Sequence, residues 1–349
     1  MATIFDVARV AGVSRSTVSR VLNDQPGVSD NARARVLTAI QQLNYQPNFA
    51  ARALKRQKAD TLGLIVPPSF RERTSTEPRG YYLTEIIRGA YNAVIEHRQV
   101  LALLDDGGNP EFYDRLIQHR QVDGILIVDL DLDEPLLTYF SERKFPFVVI
   151  GNPADETIAC VDVDNYGSAQ RVVRYLYRLG HTQIAMIHGP PARLASRDRA
   201  AGYRTMLRQL GFQVDPALQA EGDFSEESGQ CAMEQLLGTV PRPTAVFAAN
   251  DRMALGAIRA VQARGLRVPE DISIVGFDDI PVAAYVQPAL TTMRQPLYDL
   301  GNRAARLLLE MTETERSPFP HTPRVVLPTQ LIERRSVGHV NGRPVPERR

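Results

Sequence analysis

Ser14, Arg15, Ser16, Thr17, Ser19, Arg20 and Asn23 crowd one ten-residue stretch, and Val18, Val21 and Leu22 recur between them at helical spacing. On a helix this places hydroxyls, guanidiniums and an amide on one side, groups that donate to anionic oxygens and to planar acceptor pairs. The same pattern describes a solvated helix face capped by Ser14. A second set of polar groups stands at the ends of apolar runs: Asn250 and Asp251 follow TAVFAA, and Asp278 and Asp279 follow ISIVGF. Asn and Asp at such positions either cap the next helix or face a ligand at a strand end. Turnover chemistry finds no support, because the chain lacks G-x-G-x-x-G, G-x-x-x-x-G-K-[ST], H-E-x-x-H and G-x-S-x-G. Six histidines show no metal-ligand spacing, and two cysteines, Cys160 and Cys231, are too few for a disulfide framework or a zinc knuckle. Both read as reduced core thiols, and no enzyme, metal or cofactor is expected.

The elements that must carry these groups fall into a head and a body. The chain has 349 residues, enough for two or three domains, and its 44% hydrophobic and 23% charged content is that of an ordinary folded protein. No apolar run approaches the ~20 residues of a membrane span, and the start lacks a signal peptide's apolar core, so a cytoplasmic location is expected. The net charge of +1 hides an asymmetry: residues 1–58 hold nine Lys or Arg against three Asp or Glu, leaving the rest acidic. A basic head on a mildly acidic body suits a phosphate-binding module joined to something else.

Within the head, Thr3 is an N-cap with Asp6 as an imperfect capping box, for a helix turning Ile4, Val7, Ala8 and Val10 inward. Gly12 stops it, Ser14 caps a second helix, and Ser29 or Asp30 starts a third with Ala32, Val36, Ile40 and Leu43 on one face. Three helices in roughly 45 residues with a glycine turn between the first two fit a helix-turn-helix unit. Residues 48–56 follow Pro47 and are too short to be a stable helix alone. In the body, apolar strand candidates at 62–66, 100–104, 124–128, 147–150, 184–187, 244–249 and 272–276 alternate with helix candidates near 82–97, 110–119, 166–179, 198–210, 226–237, 251–264 and 297–311. Continuous apolar strands between helices predict an α/β body with parallel sheets in two adjacent layers.

The run DVARVAGVSRSTVSRVLN followed by NYQPNFAARAL resembles the head of the LacI/GalR family of bacterial transcription regulators. VDGILIV, RLGH, DRAAGY, EGDF, ANDRMALG, VPEDISIVGFDD and LTTMRQ carry the resemblance through the body to about residue 335. It implies a helix-turn-helix domain over 1–46, a hinge over 47–58 and, over 59–335, a two-lobed body similar to periplasmic binding proteins. Lobe 1 is expected at about 60–161 and 292–321, and lobe 2 at about 162–290 and 323–335. The crossovers between lobes then lie near 161–164, 289–292 and 320–324, and the tail 336–349 is expected to be disordered.

The resemblance also implies roles. The second helix enters the major groove, where Arg15 and Ser16 occupy the family's variable sequence-reading positions and Arg20 can take guanine N7 and O6. Ser14, Thr17, Ser19 and Asn23 are candidates for phosphate contacts. Asn48, Arg52 and Leu54 fall on the hinge pattern, with Leu54 the minor-groove wedge. In the cleft, Asn250, Asp278 and Arg199 match the effector-binding amide, carboxylate and guanidinium, Phe224 the aromatic cover, and Asp251 a cap. Core packing for Phe224 and a surface ion pair for Arg199 are the plainer alternatives. Asn152 stands near the place of a sugar-contacting aspartate, Arg193 matches a purine-binding branch, and Tyr82, beside Tyr81, is placed to close the cleft. The expected protein is a homodimeric repressor of carbohydrate genes on a pseudo-palindromic DNA operator, controlled by a sugar or glycoside, with no membrane association. A purine effector or a phosphoprotein co-regulator is the alternative.

Overall fold

The computed structural model describes residues 2–22, 25–45, 58–66, 80–105, 111–128, 135–313 and 322–340. The chain divides into two compact units, Met1–Ala59 and Asp60–Arg349. Asn23, Asn48, Arg52 and Leu54 lie outside the described residues.

The first unit is built from α1 (Ile4–Ala11), α2 (Arg15–Leu22) and α3 (Asp30–Gln42). The capping box at its start is complete: the Asp6 N–H donates to Thr3 Oγ1 at 3.3 Å and the Thr3 N–H donates to Asp6 Oδ2 at 2.9 Å. A shorter Asp therefore does the work usually given to Glu. Gly12 ends α1 in the left-handed region, at φ 60°, which a glycine enters without a Cβ penalty. Val7, Ala8, Ala11, Val18, Val21, Val36 and Ala39 form the core. Val10 is turned outward, and Ala11 takes the inward place expected of it, a shift of one residue along the helix face.

The second unit holds two six-stranded sheets. The first lobe comprises β1 (Thr61–Ile65), α4 (Gly80–Glu96), β2 (Val100–Leu104), α5 (Glu111–Gln118), β3 (Gly124–Val128), α6 (Pro135–Glu142), β4 (Phe147–Ile150) and β5 (Cys160–Val163). The second comprises α7 (Asn165–Arg178), β6 (Ile184–His188), α8 (Leu194–Gln209), β7 (Gln219–Glu221), α9 (Glu226–Leu237), β8 (Ala245–Ala248), α10 (Asp251–Ala263), β9 (Ser273–Asp278) and β10 (Thr291–Arg294). The chain then returns as α11 (Leu297–Glu313) and β11 (Arg324–Leu327) to the first lobe and ends as β12 (Gln330–Ile332) in the second. The first sheet runs β11-β5-β4-β3-β1-β2, all parallel, and the second runs β12-β10-β9-β8-β6-β7 with β12 alone antiparallel. In each, the strand order reverses beside the first strand, which puts a topological switch point between β1 and β3 and between β6 and β8, the place where open α/β sheets bind ligands.

Two of the three crossovers between lobes lie away from their expected places. The first crossover lies where expected, between β5 and α7, but the second lies between Arg294 and Leu297 and the third between Leu327 and Gln330. β10 thus belongs to lobe 2 and β11 to lobe 1; both are four-residue segments whose polar residues hide a strand signal. The tail is not free from residue 336 onward. Ser336 is fully buried, its Oγ accepts from the Thr291 N–H at 2.8 Å, and the Val340 N–H donates to Leu179 O at 3.1 Å. Residues 341–349 lie outside the described part. Cys160 is buried as expected, whereas Cys231 is exposed.

Lobe 1 is held by two apolar layers, one under α4 and α11 and one under α5 and α6. Although α11 follows a strand of lobe 2, its Leu300, Ala304 and Leu308 complete the first layer. Its approach to α4 is backbone against backbone: a Cβ on Gly89 would stand 1.9 Å from Tyr298 O, and one on Gly301 1.9 Å from Ile86 O. Gly301→Ala must push these helices apart, and overpacking of this kind destabilises by about 1–3 kcal/mol. Thermal denaturation should show a melting temperature lower by roughly 2–4 °C for each kcal/mol; an unchanged value would mean the pair is free to separate.

Candidate functional site

The carboxyl ends of the strands gather the polar groups that the sequence singled out. Arg199, on α8, is buried rather than exposed. Its Nε donates to Asn165 Oδ1 at 2.8 Å, its Nη1 to Ala249 O at 2.5 Å, and its guanidinium lies 3.7 Å from the Phe277 ring centroid. The surface ion pair is thereby excluded. Burial draws its pKa down, and the charges of Asp278, Tyr82, Asp162 and Asp251 act in the opposite sense, so groups of lobe 1 (Tyr82, Asp162) and of lobe 2 (Asp278, Asp251) lie within electrostatic reach of one cation.

Asp278 ends β9, where φ is 120° at Asp278 and 61° at Asp279. Two successive non-glycine residues in the left-handed region need outside support. It comes from three carboxylate contacts: Asp279 pairs with Arg294 and Arg334, both at 2.6 Å, and Asp251 accepts the Ile280 N–H at 2.8 Å. Asp278 is left to face Arg199 and the Gln295 amide, whose Nε2 donates to Oδ1 at 2.6 Å. Burial pushes the Asp278 carboxyl up to about 6, against the pull of Arg199 and Gln295. Asp162 is the penultimate residue of β5, beside the first crossover; some of the residue reaches the surface while its carboxylate is enclosed. Burial raises it to about 7, although Asn165 Nδ2 donates to it at 3.1 Å. One guanidinium among Asp162, Asp251 and Asp278 cannot hold three ionised carboxylates in a dry site.

The roles expected of Asn250 and Asp251 are redistributed. Asn250 is the N-cap of α10, accepting the Met253 N–H at 2.9 Å, and its Nδ2 donates to Phe224 O at 3.0 Å. Asp251 is a buried brace that also accepts from Thr292 Oγ1 at 2.5 Å. The reason is geometric: Asn250 keeps extended backbone, at φ −149°, which a cap requires. Phe224, at φ 70°, is half-buried with its ring packed over Gly189. Arg193 starts α8 half-buried. Asn152 Nδ2 donates to Asp198 Oδ2 at 3.3 Å, and its Oδ1 accepts from Arg324 at 2.6 Å. Asp162, Asn165 and Gln295 were missed; the first crossover and the LTTMRQ run were the available signals.

A cavity of about 490 Å3 opens beside Asp278, lined also by Tyr81, Glu85, Arg88, Arg294, Gln295 and Tyr298. Alternating charges and two phenol rings suit a polyhydroxylated ligand, whose ring faces pack on aromatics while its hydroxyls meet carboxylates and guanidiniums. In the head, Ser14 accepts the Thr17 N–H at 3.1 Å and its hydroxyl meets those of Ser16 at 2.7 Å and Thr17 at 2.9 Å. Arg15, Ser16 and Arg20 are exposed on α2. Among the described residues no group of three or more His, Cys, Asp or Glu side chains is arranged for a metal, and no helix is long and apolar enough to cross a membrane.

The model of bacterial regulatory proteins, lacI family, matches residues 3–48, and that of the periplasmic binding protein-like domain matches residues 173–337. The HTH-type transcriptional regulator CelR of Thermobifida fusca is 38% identical over 96% of this chain and 98% of its own length. The HTH-type transcriptional repressor PurR of Escherichia coli O139:H28 is 36% identical over 97% of each. Among solved structures, a CelR–cellobiose complex superposes with a TM-score of 0.72 at 36% identity, covering 96% of this chain and all of that one. The lac repressor dimer bound to operator and the anti-inducer ONPF superposes at 0.82 with 29% identity, over 97% of this chain and 99% of that one.

The buried carboxylates set a pH dependence. Both folded-state values, about 7 for Asp162 and about 6 for Asp278, lie above the ordinary 3.8, so the folded protein binds more protons between pH 4 and 7. Their contribution to stability then falls as pH rises through that window. The effector-free protein carrying Asp162→Asn should lose less melting temperature than the parent between pH 5.5 and 8; parallel curves for the two would refute the assignment.

Proposed function

Because the chain belongs to the LacI family of bacterial regulatory proteins, we propose that it represses carbohydrate-utilisation genes in the cytoplasm and that a sugar or glycoside between the two lobes controls its grip on an operator. The observation that carries this reading is the Arg199 cluster, in which lobe 1 supplies Asp162 and Tyr82 and lobe 2 supplies Asp278 around one buried guanidinium. A ligand donating hydroxyls to Asp278 favours its ionised form, compensates the added negative charge with its own donors and ties the lobes at one angle. Arg199, Asp278 and Tyr82 are its contacts, with Phe224, Arg193, Asn152 and Asn250 around the rim. At the DNA, Arg15, Ser16 and Arg20 read base edges, and Ser14, Thr17 and Ser19 meet phosphates. Asn23, Asn48, Arg52 and Leu54 retain the roles their positions in the sequence imply.

A thermal-shift series of mono- and disaccharides, glycosides and purines on the full chain tests the effector. A ligand at 100 times its Kd adds about 2.7 kcal/mol of stability. Sugars should shift the melt, and Asp278→Asn should abolish the shift and the effector's action on operator affinity while DNA binding persists. A shift from purines alone would replace the sugar, a reading favoured by the comparable identity to PurR. The absence of any shift would move control to a protein co-regulator.

Dimerisation follows from an uncovered edge. β2 borders its sheet, with Val100 60% and Leu103 49% exposed, and Tyr91 and Ile95 on α4 are also uncovered. An exposed apolar edge strand invites pairing, and a second copy of this chain is the occupant we propose, as the lac repressor dimer superposes over nearly the whole chain. Leu103→Lys should turn a dimer into a monomer in sedimentation velocity and lower operator affinity at least tenfold through loss of the second half-site; a dimer that survives would place the interface elsewhere.

A further inference from the structure

Phe5 is the odd residue of the head. It sits on α1, is 64% exposed, and takes no part in the apolar core that Val7, Val18 and Val36 close. Its ring carries the Arg15 guanidinium, whose central carbon lies 5.2 Å from the ring centroid. That distance is within the range of a cation–π contact. Asp6, the carboxylate next to Phe5 in sequence, is spent on Thr3 and on Arg9, 2.8 Å away. Among the described residues no carboxylate pairs with Arg15.

The chemistry of this pairing differs from that of a salt bridge. A carboxylate would occupy the N–H edge of the guanidinium, the edge that takes guanine N7 and O6. A ring occupies its face and leaves the edge donors open. A ring also restricts a long side chain that otherwise loses rotamer freedom when it meets a base. On the other side of the same turn, Ser14, Ser16 and Thr17 hold one another through their hydroxyls, so the start of α2 is ordered before DNA arrives.

We infer that Phe5 is a positioning residue for sequence reading: α1, a helix outside the base-reading element, aims the Arg15 fork. The inference rests on the proposed placement of Arg15 at a base edge. It predicts that the base preference at one position of each half-site depends on an aromatic ring at residue 5.

The test is selection of binding sites by the full-length protein from randomised duplexes, followed by competition titrations with single-base variants. Arg15→Ala identifies the position that Arg15 reads. Phe5→Leu should weaken discrimination at that position about 3- to 10-fold while leaving the other positions, non-specific affinity and its salt dependence unchanged. Phe5→Tyr, which keeps the ring, should restore the parent's preference. If Arg15→Ala alters no position, the placement of Arg15 at the DNA is wrong. If Arg15→Ala alters one and Phe5→Leu does not, or if Phe5→Leu lowers affinity for all sequences alike, the positioning role is overturned. Equal melting of the three proteins is expected, since Phe5 lies outside the core; an unfolded Phe5→Leu head would itself contradict that placement and count against the inference.

Discussion

A guanidinium withdrawn from water is the constraint around which the body is arranged. Arg199 has given up its hydration, and such a group is tolerated only where donors and countercharges replace the lost water. Its contacts come from three separated stretches of chain: the Asn165 amide just after the first crossover, the Ala249 carbonyl at the end of β8, and the Phe277 ring on β9. Asp278 follows that ring directly and is turned toward the same cation by its left-handed backbone. The site is thus a consequence of strand ends brought side by side by the sheet, and its members cannot move independently.

The cluster also joins the lobes. Asp162 closes the last strand of lobe 1 before the chain crosses, and Gln295 lies where the chain crosses back. Both touch or face the same charge cluster, Asp162 through Arg199 and Asn165, Gln295 through Asp278. A change of charge at Asp278 is therefore felt at two of the three crossovers. Further contacts span the cleft. Leu194, at the start of α8, packs into the lobe 1 layer with Ile158 and Cys160, and the Asn152 amide reaches Asp198. The contact between the lobes thus combines an apolar plug, an amide–carboxylate hydrogen bond and a charge cluster.

Much of this was legible in the sequence because it is written in patterns of period 2 or 3.6. Seven apolar runs marked strands of both sheets, and cap residues located the head's three helices to within a residue or two. What escaped were segments whose residues serve two masters. CVDV carries the buried Asp162 in a strand otherwise apolar; TTMR alternates buried Thr292 with a charged end; RVVL leaves Val326 63% exposed on an edge. None shows a clean run, and missing β10 and β11 displaced two crossovers. The polar assignments failed differently. Asn250 and Asp251 are adjacent, and either can cap a helix; the choice depends on backbone angles that composition does not encode. Nor can an Arg on an amphipathic helix be told from a surface residue until its neighbours in space are known, which is why Arg199 read equally well as exposed.

The packing of lobe 1 is tied to the same seam. In a body where α11 belongs to lobe 1 by packing but to lobe 2 by descent, Gly89 and Gly301 lock it to α4 with no side chain between. That pair cannot slide without steric clash, so lobe 1 responds as a rigid piece when the crossover at Pro296 is pulled. The first strand of that piece, β1, begins at Thr61 at the start of the second unit, and its Leu62 and Leu64 pack in the same apolar layer as α4 and α11, so strand and helix pair belong to one packed body.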